Sequence, residues 1–144
     1  RDRTVGYLEE ILNEIKGHKS CDTCKITFIQ FTCWVLQEGT IRITERVKYT
    51  GDEKSYATAY IFDPALIDSL ILSPGNDDMM RIGIRFSSNS VLRQIYGSEN
   101  RPQSSTYTNI IYYNFQKGKN EYSIRETLLH LKDLSTKDKI NSHN

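Results

Sequence analysis

The segment that decides the fold is residues 25–50, which reads KITFIQFTCWVLQ, then EG, then TIRITERVKYT. Its first part, Lys25–Gln37, is rich in β-branched and aromatic residues and has apolar side chains on both faces, which predicts a strand that is central or bent. The glycine of Glu38-Gly39 supplies the positive φ of a tight turn. The last part, Thr40–Thr50, alternates apolar and polar residues, so the segment predicts a β-hairpin.

The second strand of this hairpin has one break in its alternation. Most inward positions are apolar and the outward ones are polar: Ile41, Ile43, Val47 and Tyr49 inward, and Arg42, Thr44, Arg46 and Lys48 outward. Glu45 falls on the inward side. A raised pKa of a carboxyl group in such a place would be a functional hint. The alternative is a glutamate paired with an arginine at the end of a barrel.

Outward from the hairpin, the chain predicts further strands with a helix at each end. Apolar spacing indicates helices at residues 4–16 and 123–134, the second beginning at a Ser123–Glu126 capping box. The predicted strands are 25–37, 40–50, 55–62, 69–73, 79–87 and 106–115, with 88–97 open between a short helix and a strand and 98–105 predicted as a loop.

This element order predicts an α+β fold. Short turns between successive strands favour antiparallel pairing, because parallel neighbours need long crossovers. We therefore expect a bent antiparallel sheet or partial barrel of about six to seven strands, covered at one end by the C-terminal helix. Residues 1–134 are predicted to form a single domain, and residues 135–144 a polar flexible tail.

Composition excludes several classes of protein. The chain has 144 residues and a formal net charge of +1, from 19 Lys and Arg against 18 Asp and Glu, so we expect no dedicated nucleic-acid binder. No apolar stretch reaches the roughly 20 residues needed to cross a bilayer, so no transmembrane segment is predicted. The chain begins at Arg1, and its many Tyr, Asn, Ser and Thr residues favour an exported protein that has lost a signal peptide. A trimmed cytoplasmic protein is the alternative.

The three cysteines allow two interpretations. His18, Cys21, Cys24 and Cys33 are residue types that could surround a tetrahedral zinc ion. A strong zinc signature has two Cys-x-x-Cys pairs, and this chain has one. A Cys21–Cys24 disulfide that staples a loop is the second interpretation. A redox centre is disfavoured, because the pair follows a helix and precedes a strand rather than opening a helix.

Basic and aromatic side chains on the strands are the candidate ligand-binding residues. The outward row Arg42, Arg46 and Lys48 suits phosphate or another anion, although a solvated strand face has the same pattern. Tyr56 and Tyr60 alternate on one face, and Tyr107 and Tyr113 on another. Tyrosine pairs of this kind hold a sugar ring or a peptide, or stabilise a sheet through cross-strand contacts.

No catalytic constellation is visible in the sequence. The chain has no Gly-x-Ser-x-Gly elbow, no phosphate-binding glycine loop and no His-Glu-x-x-His motif. His130 lies next to the apolar stripe of the last helix and is interpreted as a surface or packing residue. We therefore expect a non-enzymatic binding or interaction module without a cofactor, whose partner is a protein or a small molecule. The alternatives are a zinc or thiol–disulfide protein using Cys21 and Cys24, and a carrier of a small apolar ligand.

Three segments carry a resemblance to known proteins: Val5–Ile15, Phe62–Asp68 (FDPALID) and Ile124–Leu134. Together they resemble small exported proteins of unknown function that are common in Bacteroidetes. Such proteins are similar to the pleckstrin-homology-like fold, a bent antiparallel sheet covered by a C-terminal helix. The single Trp is Trp34, in the first strand rather than in the last helix, and residues 37–40 are not a basic loop, so lipid-headgroup binding does not carry over. A lipocalin-like carrier barrel is a second resemblance, but it needs eight strands.

Overall fold

Two antiparallel sheets and two helices make up the described part of the chain. The computed structural model describes residues 2–19, 26–51, 54–75, 79–97, 101–118 and 121–142. The elements are α1 (Asp2–Asn13), β1 (Ile26–Val35), β2 (Ile41–Tyr49), β3 (Ser55–Phe62), β4 (Ile67–Pro74), β5 (Met79–Phe86), β6 (Val91–Tyr96), β7 (Pro102–Thr108), β8 (Ile110–Gln116) and α2 (Glu121–Ser142). Short 3-10 turns lie at Gln37–Gly39 and Pro64–Leu66. The predicted α+β class and antiparallel pairing are confirmed.

The strands form two sheets rather than one, and the two do not close into a barrel. The large sheet has the order β1-β2-β3-β6-β7, and the small sheet the order β4-β5-β8. The β4–β5 hairpin therefore lies, in sequence, between the two parts of the large sheet. Because the chain changes sheet after β3, after β5 and after β7, the apolar faces of both sheets share one core.

A β-bulge decides which side chains of β1 enter that core. The register between β1 and β2 shifts between Phe28 and Gln30, which leaves Ile29 as the extra residue. Strict alternation predicts Phe28 and Phe31 on opposite faces. The bulge instead brings both into the core, where they are 3% and 0% exposed. The Trp34 side chain points away from the core and is exposed.

Side chains of α1 form hydrogen bonds with backbone groups at the free edge of β1. The Asn13 side-chain amide donates to the Phe31 carbonyl, and Asn13 Oδ1 accepts the Phe31 N–H, both at 2.8 Å. Glu9 Oε2 accepts the Cys33 N–H at 2.7 Å. An edge strand otherwise presents unpaired backbone groups, so these contacts replace a missing neighbour strand.

The C-terminal helix is longer than predicted at both ends. It begins at Glu121, so Ser123 lies inside the first turn rather than at a capping-box start. It continues past Leu134 to Ser142, so most of the predicted polar tail is helical. Ser135 is buried, and Lys139 forms an ion pair with Asp63, which ties this last part of the helix to the body of the fold. The predicted apolar stripe is confirmed, because Ile124, Leu128 and Leu131 are buried.

The strand prediction is only partly correct between residues 88 and 116. The open segment 88–97 contains the strand β6, and the predicted loop 98–105 contains the start of β7. β7 was missed because it is an exposed strand of mostly polar residues without alternation. The predicted strand 106–115 is broken at Asn109, whose carbonyl accepts the Phe86 N–H at 2.8 Å as the chain changes sheet. The described residues therefore form eight strands.

The two helices contact each other and strands of both sheets. α1 contacts β1, β8 and α2, and α2 also contacts β4 and the turn at Pro64–Leu66. Among the described residues, no helix combines the length and the apolar character needed to span a bilayer.

Candidate ligand-binding face of the large sheet

The strand register divides the large sheet into two faces of different chemistry. Its outer face carries Arg42, Thr44, Arg46 and Lys48 of β2 together with their cross-strand partners. Its inner face carries Ile41, Ile43, Glu45 and Val47 with theirs. Because cross-strand partners point to the same side of a sheet, the pairing alone assigns each side chain to a face. The inner face packs on the core, and the outer face points away from it.

One row of side chains crosses the outer face from edge to edge. Cross-strand pairing connects one residue of each strand, in the order Trp34, Arg42, Ile61, Leu92 and Tyr107. The two aromatic residues at its ends are open to solvent, with exposed fractions of 58% and 66%. Four strand spacings separate them, which is roughly 19 Å. An extended ligand that crosses the strands would meet an aromatic ring at each end of this row.

Arg42 reaches over the middle of the outer face. Its Nη2 donates to the Tyr96 hydroxyl at 3.3 Å, and its guanidinium lies 5.8 Å from the centre of the Tyr96 ring. Arg42 is on β2 and Tyr96 on β6, so the contact has to pass over β3 between them. This explains why Ala57 and Ala59, on the outer face of β3, are only 3% and 0% exposed. Small residues on β3 leave the space in which Arg42 lies.

The Arg42 guanidinium is incompletely satisfied. Its Nε is buried and has no hydrogen-bond partner among the described residues. A buried donor without a partner costs about 1–3 kcal/mol. The Tyr96 hydroxyl already uses its own hydrogen, which it donates to Gln94 Oε1 at 3.2 Å. A ligand oxygen that reached the guanidinium would supply the missing acceptor.

The outer face is positively charged. Arg42, Arg46 and Lys48 all lie on it, as predicted, and Arg46 Nη1 donates to Ser55 Oγ at 3.0 Å. None of the described positions paired on this face is Asp or Glu. The face therefore favours an anionic ligand by charge and a flat apolar ligand by its aromatic ends.

The other predicted ligand residues lie elsewhere. Tyr56 and Tyr60 are on the inner face of β3, so the structure separates them from Arg42, Arg46 and Lys48. Tyr56 packs edge-on against Tyr49 at 5.5 Å, and Tyr60 against Tyr113 at 6.0 Å. Tyr107 and Tyr113, predicted to share a strand face, lie on different sheets.

The structure does not bring His18 and Cys33 together. The His18 carbonyl accepts the Phe28 N–H, and Cys33 is five residues further along β1, roughly 15 Å away. Zinc holds its ligand atoms within about 2.3 Å. Burial raises the pKa of the Cys33 thiol to about 12, with a smaller contribution from Glu9, so it is no ready nucleophile. Cys21 and Cys24 lie outside the described residues, so a zinc site or a disulfide there stays a prediction.

A second concave surface lies between the two helices. Arg3 and Tyr7 of α1 face Glu126 and His130 of α2 across an open cleft of about 470 Å³. His130 is exposed there, in line with the predicted surface position. Within the described part of the chain, no group of three or more His, Cys, Asp or Glu residues is placed to hold a metal ion.

Sequence reasoning missed the residues at the ends and in the middle of the outer face. Trp34 was not considered as a ligand residue, and Tyr107 was grouped with Tyr113, which lies on the other sheet. Gln94 and Tyr96 fell in the segment left open between helix and strand. The residues that lie across the strands from Arg42 would have identified them. Finding those residues requires knowing that β3 pairs with β6. No protein-family model, curated protein or solved structure matches this chain.

Proposed function

We propose that this protein is a non-enzymatic binding module that holds an acidic oligosaccharide across the outer face of its large sheet. The observation that carries the proposal is the row from Trp34 to Tyr107, with exposed aromatic rings at both ends and Arg42 between them. Aromatic rings offer flat apolar surfaces to the C–H faces of sugar rings. The guanidinium of Arg42 offers donors to a carboxylate or a sulfate.

The residues between the aromatic ends suit a hydroxylated ligand. The row next to that of Trp34 contains Thr32, Thr44, Ala59, Gln94 and Ser105. Four of these five side chains carry a hydroxyl or an amide, which hydrogen-bond to sugar hydroxyl groups. Polar groups at fixed positions beside apolar ring surfaces are the usual composition of a binding site for a small polar molecule.

Two other classes of anionic ligand fit the outer face less well. Single-stranded nucleic acid binds through many phosphate contacts and through stacking of successive bases. Here the described residues of the face include three cations, Arg42, Arg46 and Lys48. The rings of Trp34 and Tyr107 are about 19 Å apart, which is too far for neighbouring bases. An acidic peptide would use the cations but has no need of two separated flat rings.

Trp34 is the single tryptophan of the chain and therefore reports directly on this face. We suggest titrating the protein with oligogalacturonate and heparin-derived oligosaccharides while recording tryptophan emission. Methyl-esterified oligogalacturonide supplies the same sugar rings without the charge. An oligonucleotide and a polyglutamate peptide complete the series. We expect a saturable change with at least one acidic oligosaccharide, and binding weaker by at least about tenfold for the methyl ester, equivalent to 1.4 kcal/mol.

Substitutions of outer-face residues test whether the ligand binds to that face. Tyr107→Ala and Arg42→Gln keep the tryptophan and should each weaken binding by about tenfold. Tyr112→Ala is the matched control, because Tyr112 is a 48% exposed tyrosine on the small sheet, and it should leave binding unchanged. Unchanged affinity in Tyr107→Ala, tighter binding of the oligonucleotide or the peptide, or no saturable change with any acidic oligosaccharide would each refute the proposal.

A further inference from the structure

We propose that the inner face of the large sheet carries a second, independent site, formed by Glu45, Tyr60 and Tyr113, that binds a small organic ammonium ion. This site does not depend on the oligosaccharide proposal, since it lies on the opposite face. Its elements are an acidic side chain that has no ion pair with any described residue, aromatic rings around it, and a buried hydroxyl group without a partner in the same part of the chain.

Glu45 places a carboxyl group among aromatic residues. Its cross-strand partners on the inner face are Phe31 on β1 and Thr58 on β3. Among the described residues, the Glu45 side chain has neither an ion pair nor a hydrogen bond. Burial raises the pKa of this carboxyl group to about 7, so desolvation is not offset by a cation. The predicted pairing of Glu45 with an arginine is therefore not found in this part of the chain.

Three rings stand beside this carboxyl group. Tyr113, from the small sheet, packs edge-on against Phe31 at 6.2 Å and against Tyr60 at 6.0 Å. Phe31 is directly opposite Glu45, and Tyr60 is two residues from its partner Thr58. Cations are attracted to the faces of aromatic rings, and quaternary ammonium groups are recognised by aromatic cages of this kind.

The Tyr113 hydroxyl is the second observation that points to a ligand. Tyr113 is 2% exposed, and its hydroxyl group is buried with no hydrogen-bond partner among the described residues. Burial raises the pKa of Tyr113, and Glu45, Cys33 and Tyr60 add to this effect. The ring contacts of Tyr113 with Phe31 and Tyr60 place it in this cluster. An unpartnered buried hydroxyl costs about 1–3 kcal/mol, which a hydroxyl or carbonyl group on the ligand would offset.

Access and charge balance both fit a small cation. Glu45, Thr58 and Tyr60 are half-buried, so solvent reaches one side of the group, while Phe31 and Tyr113 form its closed side. Among the described residues, the titratable and charged groups facing Glu45 are Cys33 on β1, Tyr56 and Tyr60 on β3, Arg93 on β6 and Tyr113 on β8. Arg93 is the one cation in this set, and it is opposite Tyr60 rather than Glu45. A bound ammonium ion would neutralise Glu45.

Choline, tetramethylammonium and the uncharged choline isostere 3,3-dimethylbutan-1-ol test the proposal by calorimetric titration. We expect choline to bind with an affinity at least about tenfold above that of the isostere, because the ring and carboxylate attractions require charge. Glu45→Gln should lower choline affinity by a similar factor. Glu126→Gln, the same substitution at an exposed position on α2, is the control and should leave choline affinity unchanged. Binding of choline should also fall on the order of tenfold from pH 8 to pH 6 as Glu45 is protonated.

Tyr113→Phe gives a second test that does not depend on Glu45. It should weaken the binding of choline, which has a hydroxyl group, and leave tetramethylammonium binding unchanged. Equal affinities for choline and its isostere, undiminished binding to Glu45→Gln, or absence of binding by both cations to the wild-type protein would overturn the proposal. Thermal unfolding of each variant shows that it is folded before its affinity is compared.

Discussion

The two faces of the large sheet differ in chemistry although they are made by the same strands. On β2, Arg42 and Arg46 point outward and Glu45 points inward, so one strand presents positive charge on one side and negative charge on the other. Aromatic residues lie on both faces. On the outer face, Trp34 and Tyr107 are exposed and about 19 Å apart. On the inner face they are packed against each other, as in Phe31 and Tyr113.

Packing, and not residue type, therefore decides what an aromatic side chain contributes. Phe31 and Trp34 are three residues apart on the same strand, yet one is 0% and the other 58% exposed. The buried ring contributes to the free energy of unfolding. The exposed ring contributes little to stability and remains available for a ligand.

Substitution of these two residues should therefore produce a strong contrast in stability. Phe31→Ala should lower the free energy of unfolding by about 3–5 kcal/mol, because it leaves a cavity in the core. Trp34→Ala should lower it by less than about 0.5 kcal/mol, as is usual for exposed positions. Urea unfolding of both variants measures the contrast. Comparable losses in the two variants would mean that Trp34 is covered and that the outer face is not open.

The next effect is the pH dependence caused by Glu45. The pKa of its carboxyl group is about 7 in the folded protein and near 4.5 when unfolded, so wild-type stability should fall as the pH rises through this range. Glu45→Gln removes the cost of ionising a buried group. We expect this variant to be more stable than wild type by about 1–3 kcal/mol at pH 8.5 and equally stable at pH 4.

Chemical unfolding at the two pH values tests this prediction. Glu126→Gln, a substitution at an exposed position on α2, serves as the control and should change stability by less than about 0.5 kcal/mol at either pH. If Glu45→Gln were instead less stable than wild type at pH 8.5, the ionised carboxylate would have a partner in the folded protein. The inner face would then lack the uncompensated charge described above.

The smallest effect concerns the contact between Arg42 and Tyr96 on the outer face. Tyr96→Phe removes a long, partly exposed hydrogen bond, so the free energy of unfolding should fall by only about 0.5 kcal/mol. The guanidinium loses one acceptor and should become easier for a ligand to reach. Urea unfolding checks the stability, and a loss above about 2 kcal/mol would show that the outer-face network is structural.

The sequence predicted the faces of β2 and the antiparallel α+β class because period-two alternation is a local signal. It placed Arg42, Arg46 and Lys48 together for the same reason. It failed at β7, where an exposed polar strand has no alternation, and at Phe28, where the bulge changes the period. These two features depend on neighbouring strands and leave no trace in a short window of sequence.

The candidate sites were less predictable than the fold because they combine distant segments. The outer-face row requires β3 to pair with β6, and the inner cluster requires Tyr113 of the small sheet to meet Phe31 of the large one. Glu45 was singled out correctly, since a charged residue in an apolar register is visible in sequence. The residues that surround Glu45 could not be predicted, because no local sequence pattern encodes contact between two sheets.

The most direct test of the two-faced sheet is a nuclear magnetic resonance titration with the acidic oligosaccharide that gives the strongest response in tryptophan emission. We expect the largest shifts at the Trp34 indole N–H, the Arg42 Nε–H and the backbone of Tyr107, with little change at the side chains of Phe31 and Tyr113. Shifts concentrated on the inner face, or spread over the α1–α2 cleft with the Trp34 signal unmoved, would contradict the account.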